Sequence, residues 1–202
     1  MTSLRLKSQV IAPAAIRLIA GALKGGQVLV LPTDTIYGLS CRADDARAVR
    51  RVYRLKGRSE KKPFITLVSS LAMLKRYALV SQRQARELSK IWRPNGRPTT
   101  VILALRRAAR RTLPRQSSTL AVRLPKSKFL IKIIKTIKVP IISTSLNLSG
   151  QKAVFDPRQL DHYFPDPKNQ PDLLVDAGRC RRQRPSRIID LRSGGEPLIL
   201  RK

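Results

Sequence analysis

Hydrophobic and polar positions along the chain follow two different periods, and the changes between them outline the secondary structure. Apolar residues recur at helical spacing after Pro13, which suits the first turn of a helix, until Gly25 and Gly26 end the pattern. Residues 28–31 then form a short continuous apolar run, which is typical of a buried strand. The chain therefore opens with an amphipathic helix and a buried strand.

The same two periods recur to the end of the chain. The patterns predict helices at 44–55, 71–79, 82–92 and 126–138, and a short helix at 156–163 within a surface connection at 150–171. They predict strands at 64–68, 100–105, 120–124, 173–176, 186–191 and 198–200, and one further strand that ends at Ser143. A strand followed by a helix, repeated in this way, predicts an α/β fold with a twisted mixed sheet covered by helices on at least one face. The length of 202 residues, 42% of them hydrophobic, suits a single domain over 1–202 with one core.

The charge changes this picture most. Lysine and arginine number 42 against 12 aspartates and glutamates, so the formal net charge is +30. Such a field attracts polyanions, which favours nucleotide or nucleic-acid partners, and the cations cluster at 106–115, 126–138 and 179–187. The alternative is that the basic residues are scattered over every face of the protein and reflect only a compositional bias. Aromatic residues make up only 4%, which argues against a base-stacking platform as the main activity.

Other compositional features point to the cytoplasm. No stretch approaches the roughly 20 apolar residues of a membrane span, and we expect neither a signal peptide nor a membrane partner. Cys41 and Cys180 lack the spacing of a metal site and the density of a disulfide framework, which fits a reducing compartment. The single histidine, His162, lies outside every polar motif, and we expect it at the surface without a catalytic role.

Polar residues follow the first buried strand in the segment PTDTIYGL, residues 32–39. Thr33, Asp34 and Thr35 offer two hydroxyls and a carboxylate, and Gly38 permits close approach of a backbone. In open α/β sheets, ligands bind where strands end. The segment is therefore either part of a binding site or an ordinary turn.

Two further segments carry candidate chemistry. Lys56, Arg58, Lys61 and Lys62 lie between a helix and a strand, as a triphosphate site requires, although a solvated cationic loop has the same composition. The segment STSLNLSG, residues 143–150, follows an apolar run with hydroxyls and an amide suited to phosphate or ribose, or to capping the next element.

Arg123 is a lone cation inside the apolar strand LAVRLP. An arginine in such a position needs an anion, because an isolated buried charge is costly. Either a ligand or an aspartate or glutamate of the chain itself supplies that anion, and the sequence leaves both possibilities open.

The order and spacing of these segments carry more information than any one of them. PTDTIYGL, KGRSEKKPF, WRPNGRPTTVIL, LAVRLP, STSLNLSG and PSRIIDL together resemble the YrdC-like threonylcarbamoyl-AMP synthase family over residues 26–201. The resemblance implies a twisted α/β sheet with a concave basic face. It also implies an enzyme, a nucleotidyltransferase that makes threonylcarbamoyl-AMP and pyrophosphate from L-threonine, bicarbonate or CO2, and ATP.

The resemblance also assigns roles residue by residue. It implies catalysis by Lys56 and Arg58; a threonine site of Thr33, Thr35, Arg123, Ser143 and Ser186; and an ATP site of Lys56, Arg58, Lys62, Thr119, Ser145, Asn147 and Arg201. Mg²⁺ is expected to arrive with ATP, held by its phosphates and not by a dedicated protein site. A partner complex is expected to transfer the threonylcarbamoyl group to tRNA.

The chain departs from the family pattern at Ser59, Leu146 and Arg187 and in the Asn95-Gly96-Arg97 stretch, and Leu146 is expected to narrow the nucleotide pocket. Two other functions stay open. One is a module that binds double-stranded RNA or ribosomes on the same fold without catalysis. The other is the carbamoyl-transfer domain of hydrogenase maturation proteins, although this chain lacks the length and the cysteines of those proteins.

Overall fold

The computed structural model describes residues 2–6, 12–113, 118–180, 185–193 and 196–202. Within these ranges, the helices are α1 (Pro13–Lys24), α2 (Ala46–Lys56), α3 (Leu71–Tyr77), α4 (Gln82–Ile91), α5 (Lys128–Ile137) and α6 (Leu160–Tyr163). The strands are β1 (Thr2–Arg5), β2 (Leu29–Leu31), β3 (Gly38–Arg42), β4 (Ile65–Leu67), β5 (Thr99–Ala104), β6 (Thr119–Arg123), β7 (Ile141–Ser145), β8 (Leu173–Asp176), β9 (Arg187–Asp190) and β10 (Leu198–Arg201).

All these strands belong to one mixed sheet in the order β1-β8-β2-β3-β7-β4-β6-β5-β9-β10. The pairs β1–β8, β2–β8, β4–β6 and β5–β9 are parallel, and the pairs β2–β3, β3–β7, β4–β7, β5–β6 and β9–β10 are antiparallel. The α/β class with a mixed sheet and flanking helices is therefore confirmed.

The helices form where the sequence supplies both an apolar stripe and end caps. In α2, the Asp45 side chain accepts hydrogen bonds from the backbone N–H groups of Arg47 and Ala48, and Gly57 ends the helix in the left-handed conformation (φ 57°). Ser81 and Gln84 form a reciprocal capping box at the start of α4. These local signals explain why the predicted helices appear within a few residues of their expected bounds.

Two strands escaped prediction. β1 is a short, largely exposed strand at one edge of the sheet. β3 has the sequence GLSCR, and its first four residues are buried because it lies between β2 and β7. The predicted turn at 32–39 is therefore wrong at its last two positions, which already belong to a central strand. The basic clusters at 106–115 and 179–187 extend in part beyond the described residues.

The core lies between the sheet and the helices. Alternate residues of the central strands, such as Val101, Leu103, Leu120 and Val122, are fully buried. In the part of the chain described, no helix is long and apolar enough to cross a membrane.

Candidate active site

A cleft of about 610 Å³ opens on one face of the sheet. Its floor comes from residues that share that face on neighbouring strands: Ile102 of β5 lies opposite Ala121 of β6, and Thr100 lies beside Ile188 of β9. At the other end, Gly38 of β3 lies opposite Ser145 of β7. The sheet therefore gathers on one surface residues that are far apart in the sequence.

The cleft unites most of the residues that the sequence motifs nominated. The lining includes Thr35, Arg58, Arg123, Ser143, Ser145, Asn147, Ser186 and Arg201. Four nominated residues lie outside the lining, namely Thr33, Lys56, Lys62 and Thr119. The turns PTDTIYGL and STSLNLSG lie side by side, because β3 and β7 pair directly.

Thr33 stabilises the turn that presents Thr35. Its Oγ1 accepts hydrogen bonds from the backbone N–H groups of Thr35 and Ile36 (3.1 and 3.2 Å) and donates to Ile36 O (2.6 Å). The hydroxyls of Thr33 and Thr35 lie 3.0 Å apart. Thr33 is thus occupied by its own turn, and Thr35 is the threonine of this segment that faces the cleft.

Lys56 lies beneath the cleft and not on its surface. Its side chain at the end of α2 is buried, and Nζ donates to Ser145 O (2.8 Å), Asn147 O (2.7 Å) and Asn147 Oδ1 (2.7 Å). Asn147 Oδ1 also accepts from Ser145 Oγ (2.6 Å), and Asn147 Nδ2 donates to Gln151 O (2.6 Å). The ammonium group therefore holds the 145–147 turn in place from below.

The surroundings of this ammonium group make its protonated form less stable than it is in water. Burial, reinforced by the positive charge of Arg58, lowers the pKa of Lys56 to about 8. The three hydrogen bonds to oxygen atoms favour the charged form, but they do not fully offset the loss of hydration. An anion bound nearby would restore the pKa towards its usual value.

Arg58 projects over an aromatic pair. Its guanidinium carbon lies 5.4 Å from the centre of the Phe64 ring, which stacks on Tyr53 at 4.2 Å between ring centres. Its Nε donates to Lys62 O (3.1 Å). Its Nη2 donates to Pro63 O (3.5 Å), and the side chain lines the cleft, where a guanidinium suits phosphate oxygens. Lys62 itself is exposed.

Arg123 has an internal partner, one of the two alternatives that the sequence left open. Its Nη2 lies 3.2 Å from Asp34 Oδ1, and both side chains are more than nine-tenths buried. Burial lowers the pKa of the Arg123 guanidinium, Asp34 opposes this shift, and Arg201 adds to it. Among the described residues, Arg123 Nε has no hydrogen-bond partner. Asp34 Oδ1 likewise has no hydrogen-bond partner there, so the attraction of opposite charges holds the pair and not a well-aligned hydrogen bond.

The other end of the cleft is closed by Ser186 and Arg201. Arg201 Nε and Nη2 donate to Ser186 O (3.0 and 2.6 Å), and Nη2 also lies 3.2 Å from Ser186 Oγ. The Ser186 hydroxyl lies 3.1 Å from the hydroxyl of Thr100. This chain of contacts fixes Arg201, although its strand β10 is exposed along its length.

Gly38 allows β3 and β7 to approach closely at the cleft. A Cβ atom at this position would lie 2.6 Å from Ser143 Oγ and 3.1 Å from Thr144 O. Ser143 Oγ accepts a hydrogen bond from Ser40 Oγ (3.1 Å), which joins the two strands through their side chains. Glycine is needed here for space and not for an unusual backbone angle.

Sequence reasoning missed the apolar and aromatic part of the lining. Phe64 and Phe155 lie in the wall. The polar residue Thr100 was missed as well, although alternation along β5 places it on the same face as Ile102, which also lines the cleft. Leu146 is fully buried and does not line the cleft, so its side chain does not itself enter the pocket. Thr119 begins β6 opposite Ala104, on the same face as Ala121 and Arg123 but beyond the cleft.

Residues 21–202 match the Sua5/YciO/YrdC sequence family, described as "Telomere recombination". The chain is 31% identical over 191 residues to a threonylcarbamoyl-AMP synthase of Pyrococcus abyssi, covering 91% of this chain and 55% of that one. It is 31% identical over 195 residues to the human threonylcarbamoyl-AMP synthase, covering 93% of this chain and 66% of that one. The chain thus spans between half and two thirds of the length of these relatives.

Solved structures agree with this assignment. The structure of P. abyssi Sua5 complexed with L-threonine superposes with a TM-score of 0.82 at 30% identity, over 99% of this chain and 56% of that one. E. coli YciO superposes with a TM-score of 0.81 at 25% identity, over 100% of this chain and 94% of that one. The resemblance of the sequence motifs is confirmed, and the chain belongs to the Sua5/YciO/YrdC family.

Proposed function

We propose that this chain is an L-threonylcarbamoyladenylate synthase, which joins L-threonine, bicarbonate or CO2, and ATP into threonylcarbamoyl-AMP and pyrophosphate. The observation that carries the proposal is the convergence of Arg58, Arg123 and Arg201 on one cleft lined with hydroxyl groups. Such a cleft suits substrates with several negative charges. The relatives that bear this name, and the related structure that contains L-threonine, support the same assignment.

In this proposal, the threonine carboxylate lies against Arg123, whose side chain lines the cleft. Asp34 opposes the effect of burial on this guanidinium and favours its charged form, which attracts the carboxylate. Thr35, Ser143 and Ser186 supply hydroxyls around the same substrate. Thr33 contributes by fixing the turn that holds Thr35.

The ATP phosphates are proposed to lie against Arg58, Ser145 and Asn147, at the end of the cleft where α2 ends. Lys56 acts from below as a positioning residue, because its three N–H bonds hold the 145–147 turn while its charge lies under the phosphates. Lys62 belongs to the proposed ATP site as an exposed cation whose carbonyl accepts from Arg58. The motifs also assign Arg201 and Thr119 to ATP; Arg201 lines the other end of the cleft and Thr119 lies outside the lining, so neither lies against these phosphates.

The chemistry needs charge and positioning more than a protein nucleophile. The neutral threonine amine adds to CO2 and releases one proton to water to give a carbamate. A carbamate oxygen then forms a bond to the α-phosphorus of ATP while the bond from that phosphorus to the α,β-bridging oxygen breaks, and pyrophosphate leaves. Negative charge develops on the equatorial oxygens of the α-phosphate and on the leaving pyrophosphate. Fixed cations such as Arg58 stabilise that charge without reorganisation at the moment of reaction.

Mg²⁺ belongs to the proposal as a companion of ATP. Among the described residues, no group of three or more histidines, cysteines, aspartates or glutamates could hold a metal ion. Phosphate oxygens and water are the ligands that Mg²⁺ prefers in nucleotide sites. When bound, the ion would neutralise part of the phosphate charge. We further propose a cytoplasmic protein whose product passes to a partner complex that modifies tRNA.

Threonine-dependent release of pyrophosphate tests the proposal. The protein is incubated with ATP, bicarbonate and Mg²⁺, with and without L-threonine, and pyrophosphate is measured. We expect release only when threonine is present, together with a product whose mass is that of threonylcarbamoyl-AMP. No threonine-dependent release would leave the alternative of a non-catalytic module that binds double-stranded RNA.

Matched alanine variants connect the activity to this cleft. We expect Arg58→Ala to lower the rate by about 10²-fold, the order found when one donor to a developing charge is removed. Ser145→Ala is expected to act in the same direction. Arg110→Ala removes an equally charged, exposed side chain that does not line the cleft and should leave the rate unchanged. Equal effects of Arg58→Ala and Arg110→Ala would show that only the general positive charge matters.

A further inference from the structure

Residues 151–155, which we call the cleft wall, border the cleft at the end where the ATP phosphates are proposed to lie. The wall contains no helix or strand, and Gln151, Ala153 and Phe155 line the cleft. Asn147 Nδ2 donates to Gln151 O (2.6 Å), which attaches the wall to the 145–147 turn. A nucleotide bound against Asn147 therefore also adjoins the cleft wall.

A second irregular stretch, residues 177–180, is attached to this wall. Cys180 N donates to Phe155 O (2.8 Å), which joins the two stretches through their backbones. Residues 177–179 are exposed, and Cys180 is half-buried without lining the cleft. The position of Phe155 in the wall therefore depends in part on how the 177–180 stretch is held.

Tyr37, the aromatic residue of PTDTIYGL, holds the 177–180 stretch. Its side chain borders the cleft but is fully buried, and its hydroxyl donates to Gly178 O (2.7 Å) and accepts from Ala177 N (2.8 Å). Burial raises the pKa of this hydroxyl, so it keeps the proton that it donates. The backbone carbonyl of Tyr37 accepts from Leu146 N (2.9 Å). One residue is thus bonded both to the 145–147 turn and to the 177–180 stretch.

We propose that Tyr37 is a positioning residue for ATP: its hydroxyl holds the 177–180 stretch and, through Cys180, keeps the cleft wall in the position that binds the nucleotide. The identity of the ligand rests on the proposed function. Tyr37 forms no bond to a reacting atom and acts through other residues, because its hydroxyl is engaged by Ala177 and Gly178.

Loss of this hydroxyl should open the wall locally and leave the rest of the fold intact. Ala177 and Gly178 are exposed, so water can replace the hydroxyl as their hydrogen-bond partner. The 177–180 stretch can then separate from Tyr37 without leaving its backbone groups buried and unpaired. A purely structural role for Tyr37 would instead lower the stability of the whole protein.

The two cysteines distinguish local opening from global unfolding. Cys41 in β3 is fully buried, whereas Cys180 belongs to the 177–180 stretch. Separation of the stretch exposes Cys180 alone, and global unfolding exposes both thiols. Burial raises the pKa of the Cys180 thiol, although the backbone N–H of Tyr37 opposes this shift. The thiolate is the reactive form, so Cys180 should react slowly while the stretch is held.

The test follows alkylation of each cysteine by iodoacetamide, assigned by mass spectrometry, in the full chain. Iodoacetamide is uncharged, so it does not compete with ATP for the cations of the cleft. The variants are Tyr37→Phe and the matched control Tyr77→Phe; Tyr77 is also buried, its hydroxyl accepts from Arg76 Nη2 (3.3 Å), and it does not line the cleft.

We expect Tyr37→Phe to accelerate alkylation of Cys180 by about 10-fold, which corresponds to about 1.4 kcal/mol and lies within the net value of a hydrogen bond. Alkylation of Cys41 should not change, and Tyr77→Phe should accelerate neither cysteine. Gly178→Ala provides a second variant that loosens the same stretch. Gly178 has a φ of 80°, and a Cβ there meets nothing within 4 Å, so the left-handed backbone alone opposes alanine. It should accelerate Cys180 in the same way.

ATP supplies the measurement that a purely structural role would not affect. If ATP with Mg²⁺ binds only while the wall is held, it slows alkylation of Cys180 by about 100-fold at 100 times its Kd. Direct coverage by ATP does not explain such protection, because Cys180 does not line the cleft. L-Threonine alone should not protect Cys180, because Thr35, Ser143 and Ser186 lie outside both stretches.

The variant should also need more ATP for the same protection. In Tyr37→Phe, part of the binding free energy of ATP is used to bring the wall back, so the ATP concentration for half-protection should rise by about 2–10-fold. The KM for threonine should not change. Circular dichroism verifies that each variant is folded.

Four outcomes would overturn the proposal. These are equal acceleration of Cys180 and Cys41 by Tyr37→Phe, an unchanged rate at Cys180 in both Tyr37→Phe and Gly178→Ala, no protection of Cys180 by ATP in the unaltered protein, and an unchanged ATP concentration for half-protection in Tyr37→Phe. The result is separable from the synthase proposal, because alkylation needs no turnover. Protection by ATP without threonine-dependent pyrophosphate release would refute only the synthase, and release without protection would refute only the role of Tyr37.

Discussion

Replacement of Gly38 by alanine should strain the junction between the two polar turns of the cleft. The new methyl group would lie 2.6 Å from Ser143 Oγ, 3.1 Å from Thr144 O and 3.3 Å from Thr33 Cγ2. Contacts below about 3.0 Å force a neighbour to move. The Ser143 hydroxyl can rotate away, but the carbonyl of Thr144 belongs to the backbone of β7 and is fixed by strand pairing.

The cost follows from these contacts. Rotation of Ser143 breaks its hydrogen bond with Ser40, which has a net value of about 0.5–1.5 kcal/mol. Overpacking against a rigid backbone adds to this loss, and such substitutions cost about 1–3 kcal/mol in total. In a chain of this size, each kcal/mol lowers Tm by about 2–4 °C. We therefore expect a clear decrease in Tm.

Thermal unfolding by circular dichroism measures this effect, with Gly21→Ala as the matched control. Gly21 lies within α1, and a Cβ there meets nothing within 4 Å. Alanine in a helix interior is favoured over glycine by about 0.5–1 kcal/mol, so the control should raise Tm. Replacement of glycine by alanine is thus expected to lower Tm at position 38 and to raise Tm at position 21.

A double-mutant cycle tests the assigned cause. In a Ser143→Ala background, the atom at 2.6 Å is absent, and Gly38→Ala should then cost less than it does in the unaltered protein. An equal or larger cost in that background would refute the steric argument. A rise in Tm for Gly38→Ala alone would also refute it.

Two further predictions concern Lys56. Lys56→Met leaves the Asn147 and Ser145 oxygens without their donor, which costs about 1–3 kcal/mol, but it also removes the buried ammonium that opposes folding below pH 8. We therefore expect the variant to lose more stability in denaturant unfolding, relative to the unaltered protein, at about pH 10 than at about pH 7; a difference that does not change with pH would contradict the assigned contacts and pKa. The pKa of Lys56, lowered to about 8, should rise when triphosphate binds. ATP binding near and above pH 8 should then be accompanied by uptake of a proton. Calorimetry in buffers of different ionisation enthalpy measures this uptake. No uptake would show that Lys56 lies too far from the bound phosphates to sense their charge.

The sign of the Lys56 effect on stability is opposite to that of a usual salt bridge. Its folded pKa of about 8 lies below the usual lysine value of 10.5, so the unfolded chain binds the proton more strongly between these two values. This one group therefore opposes folding below pH 8, and its penalty decreases as the pH rises from 8 to 10.5.

Local signals in the sequence were sufficient for the helices and for most strands. Pro13 at the start of α1 and Asp45 at the cap of α2 act within one turn, so their effect is visible in a short window of sequence. β3 has no such signal, because its residue Ser40 is polar and yet buried. It is a strand because its neighbours β2 and β7 pair with it, and that information lies elsewhere in the chain.

In the candidate site, too, the sequence identified individual residues but not the contacts between residues that are distant in the chain. The motifs nominated Arg123 and Asp34 separately, but their contact joins residues 89 positions apart and required the fold to be seen. A lysine after an amphipathic helix was expected to point towards a ligand. The structure instead turns Lys56 beneath the 145–147 turn, because this part of β7 and the end of α2 lie close together.

The order of the strands has a consequence for how the protein acquires its cleft. Gly38 pairs with Ser145, Thr100 pairs with Ile188, and the wall is completed by Arg201. Pairings between such distant residues form slowly, and a growing chain lacks each of them until the later strand of the pair has been made. A nascent chain therefore exposes one unpaired edge of β3 until β7 emerges and one unpaired edge of β5 until β9 emerges. Substrates that need the whole cleft will select the completed fold and stabilise it against its partly folded forms.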